Sequence, residues 1–399
     1  MKAGWAIKPL GEVCEFQRGL TYAKTDEVDV SNNIVLRATN IDLATNLLNL
    51  DELKYINDAV VVHASKKVKK DSLLICTASG SKSHLGKVAY IDDDCDFAFG
   101  GFMGMLTPSK CLLPRYFFHL MTSGAYKDFI AALADGANIN NLKFSDLQRF
   151  PVPVAPLPEQ HRIVAILDEA FDGIATAKAN AEKNLQNARA LFESHLQSVF
   201  TERGEGWVEK KVSEIARHSL GKMLDKAKNK GEPQPYLRNI NVRWFAFDLS
   251  DLLQMPFLPT EAEKYTAVKG DVLICEGGYP GRAAIWDEDY PIYFQKALHR
   301  VRFHEPELNK WFVYYLSVQA SSGQLKQHFS GTGIQHFTGE VLARFPIPVP
   351  PLPELRLAVA KFDALSEETQ RLESLYQQKL VALDDLKKSL LHQAFSGAL

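Results

Sequence analysis

The side chains of this chain best equipped for chemistry are amides, guanidiniums, imidazoles and hydroxyls gathered in polar loops. In the first half they are Arg37, Thr39 and Asn40, then Lys82, Ser83, His84 and Lys87, then Asn138, Asn140, Asn141 and Lys143. In the second half they are Arg238, Asn239, Asn241 and Arg243, then Tyr279 and Arg282, then His299 and Arg300, then Thr332, Gln335 and His336. Such groups match the donors and acceptors on base edges, and the cations suit phosphate oxygens. Taken singly, each is better explained as a solvated loop residue or a local turn bond. Recurrence changes that balance. Arg37 with Arg238, and Lys87 with Arg282, keep a cation at matching places, whereas Asn140 and Asn141 face Gln335 and His336, polar in both copies but different in kind. Two readers of unlike sequences would differ in this way.

Groups that could break or make covalent bonds are harder to find. No Gly-x-x-x-x-Gly-Lys-Ser/Thr loop is present to hold a nucleotide. The densest glycine cluster, Phe99 to Gly104, lacks the strand-to-helix context of a cofactor loop. Asp92-Asp93-Asp94 and Asp287-Glu288-Asp289 raise the question of a magnesium-dependent nuclease, yet they recur after a short strand in both copies and read as solvated turns. The histidines form no ligand pair, and cysteines 14, 76, 95, 111 and 275 form no CxxC. We expect no catalytic residue, no cofactor and no metal.

The elements that must position the polar loops follow from an internal repeat. Phe150 to Glu159 reads FPVPVAPLPE and Phe345 to Glu354 reads FPIPVPPLPE, an offset of 195. The offset holds over neighbouring residues: Tyr116-Phe117-Phe118 faces Trp311-Phe312-Val313, and Phe200 faces Phe395. Upstream it drifts, so that Leu36-Arg37-x-x-Asn40 faces Leu237-Arg238-x-x-Asn241. A period near two hundred residues is far longer than the 20 to 50 typical of solenoids and means two domains with two connectors.

Each proline-rich run forces an extended chain and then permits a helix to start near Pro158 and Pro353. Leu167, Phe171, Ile174, Ala181, Leu185, Ala188, Phe192 and Val199 then recur at steps of three and four, interrupted by Lys178 and His195. Leu365, Thr369, Leu372, Tyr376, Leu383, Leu386 and Leu390 do the same. Both read as coiled-coil seams on rods of about 60 Å, most simply paired antiparallel with each other. Before each run come strand-like segments at Leu73 to Cys76, Val88 to Ile91, Val272 to Cys275 and Ala283 to Trp286, and buried aromatic helices at Tyr116 to Met121 and Trp311 to Val318. The expected fold class is α+β: two similar mixed domains separated by a pair of long antiparallel coiled-coil helices. The expected boundaries are 1–155, 156–202, 203–350 and 351–399.

Composition sets the outer limits. With 46% hydrophobic and 24% charged residues the 399-residue chain is of ordinary globular type. A net charge of −2 does not advertise a protein that grips a polyanion alone. A reader inside a larger assembly can leave backbone electrostatics to its partners. The absence of a secretory-type apolar stretch and of about 18 consecutive apolar residues, with unpaired cysteines, points to a cytoplasmic protein without a membrane partner.

With the layout and the run PLPEQHRIVAILD at 156–168 in view, the chain resembles the specificity subunits of type I restriction-modification systems. The second copy, PLPELRLAVAKFD at 351–363, departs at Leu355, Leu357 and Lys361, exchanges expected on helix surfaces. The resemblance implies that each domain, a target recognition domain, reads one half of a bipartite double-stranded DNA target. It implies that the helices set the unread spacer and dock two methyltransferase subunits, which bring S-adenosylmethionine, and that restriction (motor and nuclease) subunits join them. The competing readings are a self-sufficient DNA methyltransferase or nuclease, and a protein-binding scaffold with no DNA role.

Overall fold

The computed structural model describes residues 4–80, 84–135, 141–225, 227–331, 333 and 335–399. The chain folds as two compact units, Met1–Glu182 with Gln377–Leu399, and Lys183–Tyr376. Each contains one copy of the repeat and part of both long helices.

In the first unit a four-stranded antiparallel sheet runs in the order Cys14–Arg18, Met103–Pro108, Ser72–Cys76, Val88–Ile91. In the second unit the equivalents are Ala216–Leu220, Leu298–Phe303, Val272–Cys275 and Ala283–Ile285. The central runs Leu73 to Cys76 and Val272 to Cys275 are apolar at every position because both faces are covered. Leu73 and Ile75 point into a core shared with Tyr116, Phe117 and Phe150, while Leu74 and Cys76 alternate into another with Leu36, Phe99 and Met105. Val272 and Ile274 against Leu273 and Cys275 repeat that alternation. Burial raises the Cys76 thiol and pushes Cys275 up to about 11, so both behave as packing groups.

A second sheet packs on each first one. It contains Asn33–Leu36 beside Phe97–Phe99, or Glu232–Leu237 beside Ile292–Phe294, in both cases a parallel pair. The two copies differ in the outer strand: Glu27–Val28 extends the first beyond Lys54–Ile56, whereas Thr266–Ala267 extends the second beyond Ile292–Phe294. The proline runs are themselves strands. Pro151–Val154 pairs with Ala6–Pro9, and Pro346–Val349 with Val208–Lys211, two-stranded ribbons in which prolines face away from the ladder. Tyr116 Oη donates to the Pro153 carbonyl at 2.8 Å, and its counterpart Trp311 donates through Nε1 to the Pro348 carbonyl at 2.7 Å.

The long helices span Leu157–Thr201 and Leu352–Ser396. Within the first unit Arg162 meets the Leu399 carbonyl and Lys178 meets Asp384; within the second Arg189 meets Glu373 and the Phe200 ring meets Phe362. In both units the partner's number falls as the residue's number rises, so the helical segments pair antiparallel. Leu167, Ile174, Ala181 and Ala188 are buried along the seam as the spacing requires.

Two expectations about the long helices need correction. Leu386 is 47% exposed, and Lys387 takes the inward place, its ammonium 4.9 Å from the Phe171 ring centre. Straight three-four counting misses this because a lysine stem can line an apolar seam as a leucine does. The exchange of Gln160 for Leu355, expected on a helix surface, lies in the interior. Gln160 is buried, accepts from the Leu113 N–H at 2.8 Å and donates to the Cys111 and Ala155 carbonyls at 2.8 Å, while Leu355 fills the same place with apolar volume.

Candidate nucleic-acid interface

In each domain the polar loops gather at one end of the sheets. The Ala38–Asn40 turn follows the strand Asn33–Leu36, and the loop after Ser72–Cys76 reaches Asn141 through an antiparallel bridge at Ala78. The Leu142 N–H donates to the Thr77 carbonyl at 2.6 Å. In the second domain the Phe337 N–H donates to the Glu276 carbonyl at 2.7 Å, and Asn239 donates through its amide to the Gly277 carbonyl at 3.0 Å. The loops singled out by residue type are therefore neighbours, although far apart in sequence.

Not every residue in them faces outward. Asn40 is buried: it accepts from the Arg37 N–H at 2.8 Å and donates to the Asn49 and Glu52 carbonyls at 2.9 and 2.8 Å. Asn241 does the same with the Arg238 N–H and the Asp248 and Asp251 carbonyls. The repeated Leu-Arg-x-x-Asn is a turn held by its own asparagine, and these two buried amides have both their hydrogens spent on backbone carbonyls. The matched cations are also engaged inside the domains. Lys87 donates to the Ile41 carbonyl at 3.2 Å, and burial lowers its pKa. Arg282 donates to the Asn239 carbonyl at 2.9 Å while stacking 3.8 Å over the Tyr279 ring, which is exposed.

His299 and Arg300 also need relocating. His299 is only 2% exposed, wedged between the sheet and Gly339. Arg300 donates to the Glu263 and Thr266 carbonyls and holds the edge of the second sheet. Residue type put them among the loop candidates, but they lie on the strand Leu298–Phe303, whose geometry points them to opposite faces of a covered sheet.

What remains outward differs between the domains. In the first, Thr39, Asn141 and Lys143 are exposed and His84 half-buried. In the second, Arg243 is exposed, as are Tyr279 and Gln335, with His336 half-buried and its backbone paired with that of Ser330. Lys82, Ser83, Asn138, Asn140 and Thr332 lie outside the described residues. The turn-held arginines differ too. Arg238 donates to the Asp251 carboxylate at 2.7 Å and to its carbonyl at 2.9 Å. Among the described residues Arg37 makes no such ion pair; it lines a recess with Tyr22, Lys24, Glu27, Thr39 and Phe102, Glu27 being paired with Lys54.

Four of those neighbours escaped sequence reasoning. Phe102 is the clearest: it is 73% exposed on the glycine loop, and its carbonyl is fixed by the Thr77 and Ala78 N–H groups at 2.9 and 3.2 Å. The loop is pinned from below, since a Cβ on Gly19 would lie 1.9 Å from the Gly100 carbonyl oxygen. The glycine cluster was thus the available signal, but for a rigid strand-to-strand turn presenting an aromatic tip. In the second domain Ala297 stands at the Phe102 position, beside Gln295 and exposed Lys296.

The acidic runs are solvent-facing, with Lys269 2.8 Å from Asp289. No helix among the described residues is long and apolar enough to cross a membrane.

Comparison with known proteins agrees with this architecture. The model of the type I restriction modification DNA specificity domain matches twice, at residues 2–186 and 204–380. The chain belongs to that family, a family of specificity components and not of the subunits that perform the reaction. It is 25% identical over 418 residues to the EcoKI type I restriction enzyme specificity subunit of Escherichia coli (strain K12), covering 99% of this chain and 89% of that one. Its fold is that of the HsdS subunit from Thermoanaerobacter tengcongensis, with a TM-score of 0.66 at 19% identity over 100% and 98% of the two chains. A further solved chain, from work on complex assembly and conformational transition of the type I R-M system, gives 0.79 at 20% identity over 100% and 99%.

Proposed function

We propose that this specificity subunit reads a bipartite double-stranded DNA target, one half with residues 1–155 and the other with 203–350. The long helices, 156–202 and 351–399, set the unread spacer and dock two methyltransferase subunits, with restriction subunits joining the same assembly in the cytoplasm. The subunit brings no cofactor of its own. One observation carries this reading: the two domains keep the same buried turn asparagine, the same strand order in the first sheet and the same helix anchors, yet expose different chemistry at matching loop positions. Phe102 against Ala297, Asn141 against His336, and Arg37, without an ion pair among the described residues, against carboxylate-paired Arg238 are differences that alter recognition without altering fold. The near-neutral charge fits a reader whose partners supply much of the phosphate contact.

The exposed candidates are proposed as the contacts: Thr39, His84, Asn141 and Lys143 with Arg37 in the first domain, and Arg243, Tyr279, Gln335 and His336 in the second. Mapping methylated adenines in cells with and without this chain tests the reading. A two-part motif with a fixed gap, present only with the chain, is expected; an unchanged methylation map would refute it.

A further inference from the structure

Each recognition domain is fastened to a long helix by the same carboxylate. Asp168, the last residue of PLPEQHRIVAILD, accepts on Oδ1 from Arg115 Nη2 at 2.9 Å and from His119 Nε2 at 2.7 Å. Asp363, the last residue of PLPELRLAVAKFD, accepts on Oδ2 from Lys310 Nζ at 2.5 Å and on Oδ1 from Tyr314 Oη at 2.8 Å. Arg115 and Lys310, His119 and Tyr314, and Asp168 and Asp363 are all related by the repeat offset of 195. The donors sit four residues apart on one face of the helices Pro114–Leu120 and Leu308–Ser321.

The donors have changed completely, from guanidinium and imidazole to ammonium and phenol, and the acceptor has not. A contact needed only for stability could have become apolar, as the neighbouring Gln160 did at Leu355. The surroundings explain what it adds. His119 packs edge-on against Phe171 at 5.3 Å, and Tyr314 against Phe362 at 5.1 Å, so each of these donors also sits in a ring contact with its long helix. Rings can slide over one another at small cost, whereas a carboxylate gripped by two donors fixes direction.

We propose that Asp168 and Asp363 are positioning residues that fix the angle of each recognition domain on its helix, and so the single spacer length the assembled enzyme accepts. This rests on the reading under Proposed function. Loss of one charge-assisted bond should let the domain rock and admit half-sites displaced by one base pair.

The test uses the subunit assembled with its methyltransferase and duplexes in which both half-sites are constant and the spacer is varied one base pair at a time. In D168N and D363N, preference for the correct spacer over its neighbours should fall roughly tenfold, with the half-site sequences unchanged. Y314F, which keeps the ring and its contact with Phe362, should lose a smaller share, and D363E should recover part of the loss. Wild-type spacer preference in D168N, D363N and Y314F alike overturns the proposal, as does a uniform loss of rate at every spacer. If the unmutated assembly itself shows no spacer preference, the two-part reading of the target falls, and the positioning role with it.

Discussion

Position 104 in the first domain is a glycine lying under the Phe144 ring, which in turn meets Phe16 at 5.3 Å. In the second domain the strand register places His299 at that position and His218 at the position of Phe16, and residue 339, the counterpart of Phe144, is glycine. Volume has moved from one element to the other while the space between them stays filled. An added Cβ would lie 2.7 Å from Phe144 at Gly104 and 3.3 Å from His299 at Gly339. The two domains therefore preserve shape by compensated exchange and preserve direction by fixed polar contacts, and their chemistry is free to diverge elsewhere.

The shared part should be most costly to damage. Leu74→Ala and Leu273→Ala remove equivalent fully buried side chains from the layer between the sheets. Each should destabilise its own unit by about 2–5 kcal/mol. Denaturant unfolding of the full chain, followed by a probe in each unit, would reveal unequal costs if the layers were not equivalent.

The exchanged part should show as pH sensitivity. Burial first, and then neighbouring His218, push the His299 imidazole down to about 4, the Phe337 backbone offsetting only part. The unfolded chain takes up this proton near pH 6.5 and the folded second unit only near pH 4, so its stability falls as pH drops through that window and levels off below it, by about 3 kcal/mol at most. Burial also lowers His119 in the first unit, but Asp168 opposes the shift, and the loss there should be smaller. H299L should flatten the slope of the second unit; an unaltered slope would place the acid sensitivity elsewhere.

Asn40→Ala and Asn241→Ala separate a turn-holding from a base-reading role. Each should cost about 1–3 kcal/mol, because buried backbone groups lose their partner. Unchanged stability with altered target sequence would restore these residues to the recognition surface. The smallest effect belongs to Asp251→Ala. The pair with Arg238 is made by a carboxylate 65% exposed, so stability should change by less than about 1 kcal/mol.

The architecture was legible because it depends on signals that repeat. Proline runs mark the starts of both long helices, steps of three and four mark the seam, and the uninterrupted apolar runs at 73–76 and 272–275 mark strands covered on both faces. The surface was legible only in part. A residue's type shows that it can form hydrogen bonds but not whether backbone, solvent or ligand supplies the partner. Asn40, Asn241, Lys87 and Arg282 have the chemistry of readers, and the fold spends it on carbonyls and a peptide N–H. Phe102 was missed for the opposite reason: an apolar residue is expected inside, and only the pinned glycine turn shows why it stands out in solvent.

The most direct measurement is selection of bound duplexes from a randomised pool by the assembled enzyme, followed by sequencing. Two short specified segments of unlike sequence, separated by a gap of constant length and free composition, are predicted. One continuous motif, or the same segment recovered on both sides of the gap, would contradict two divergent readers carried on a common scaffold.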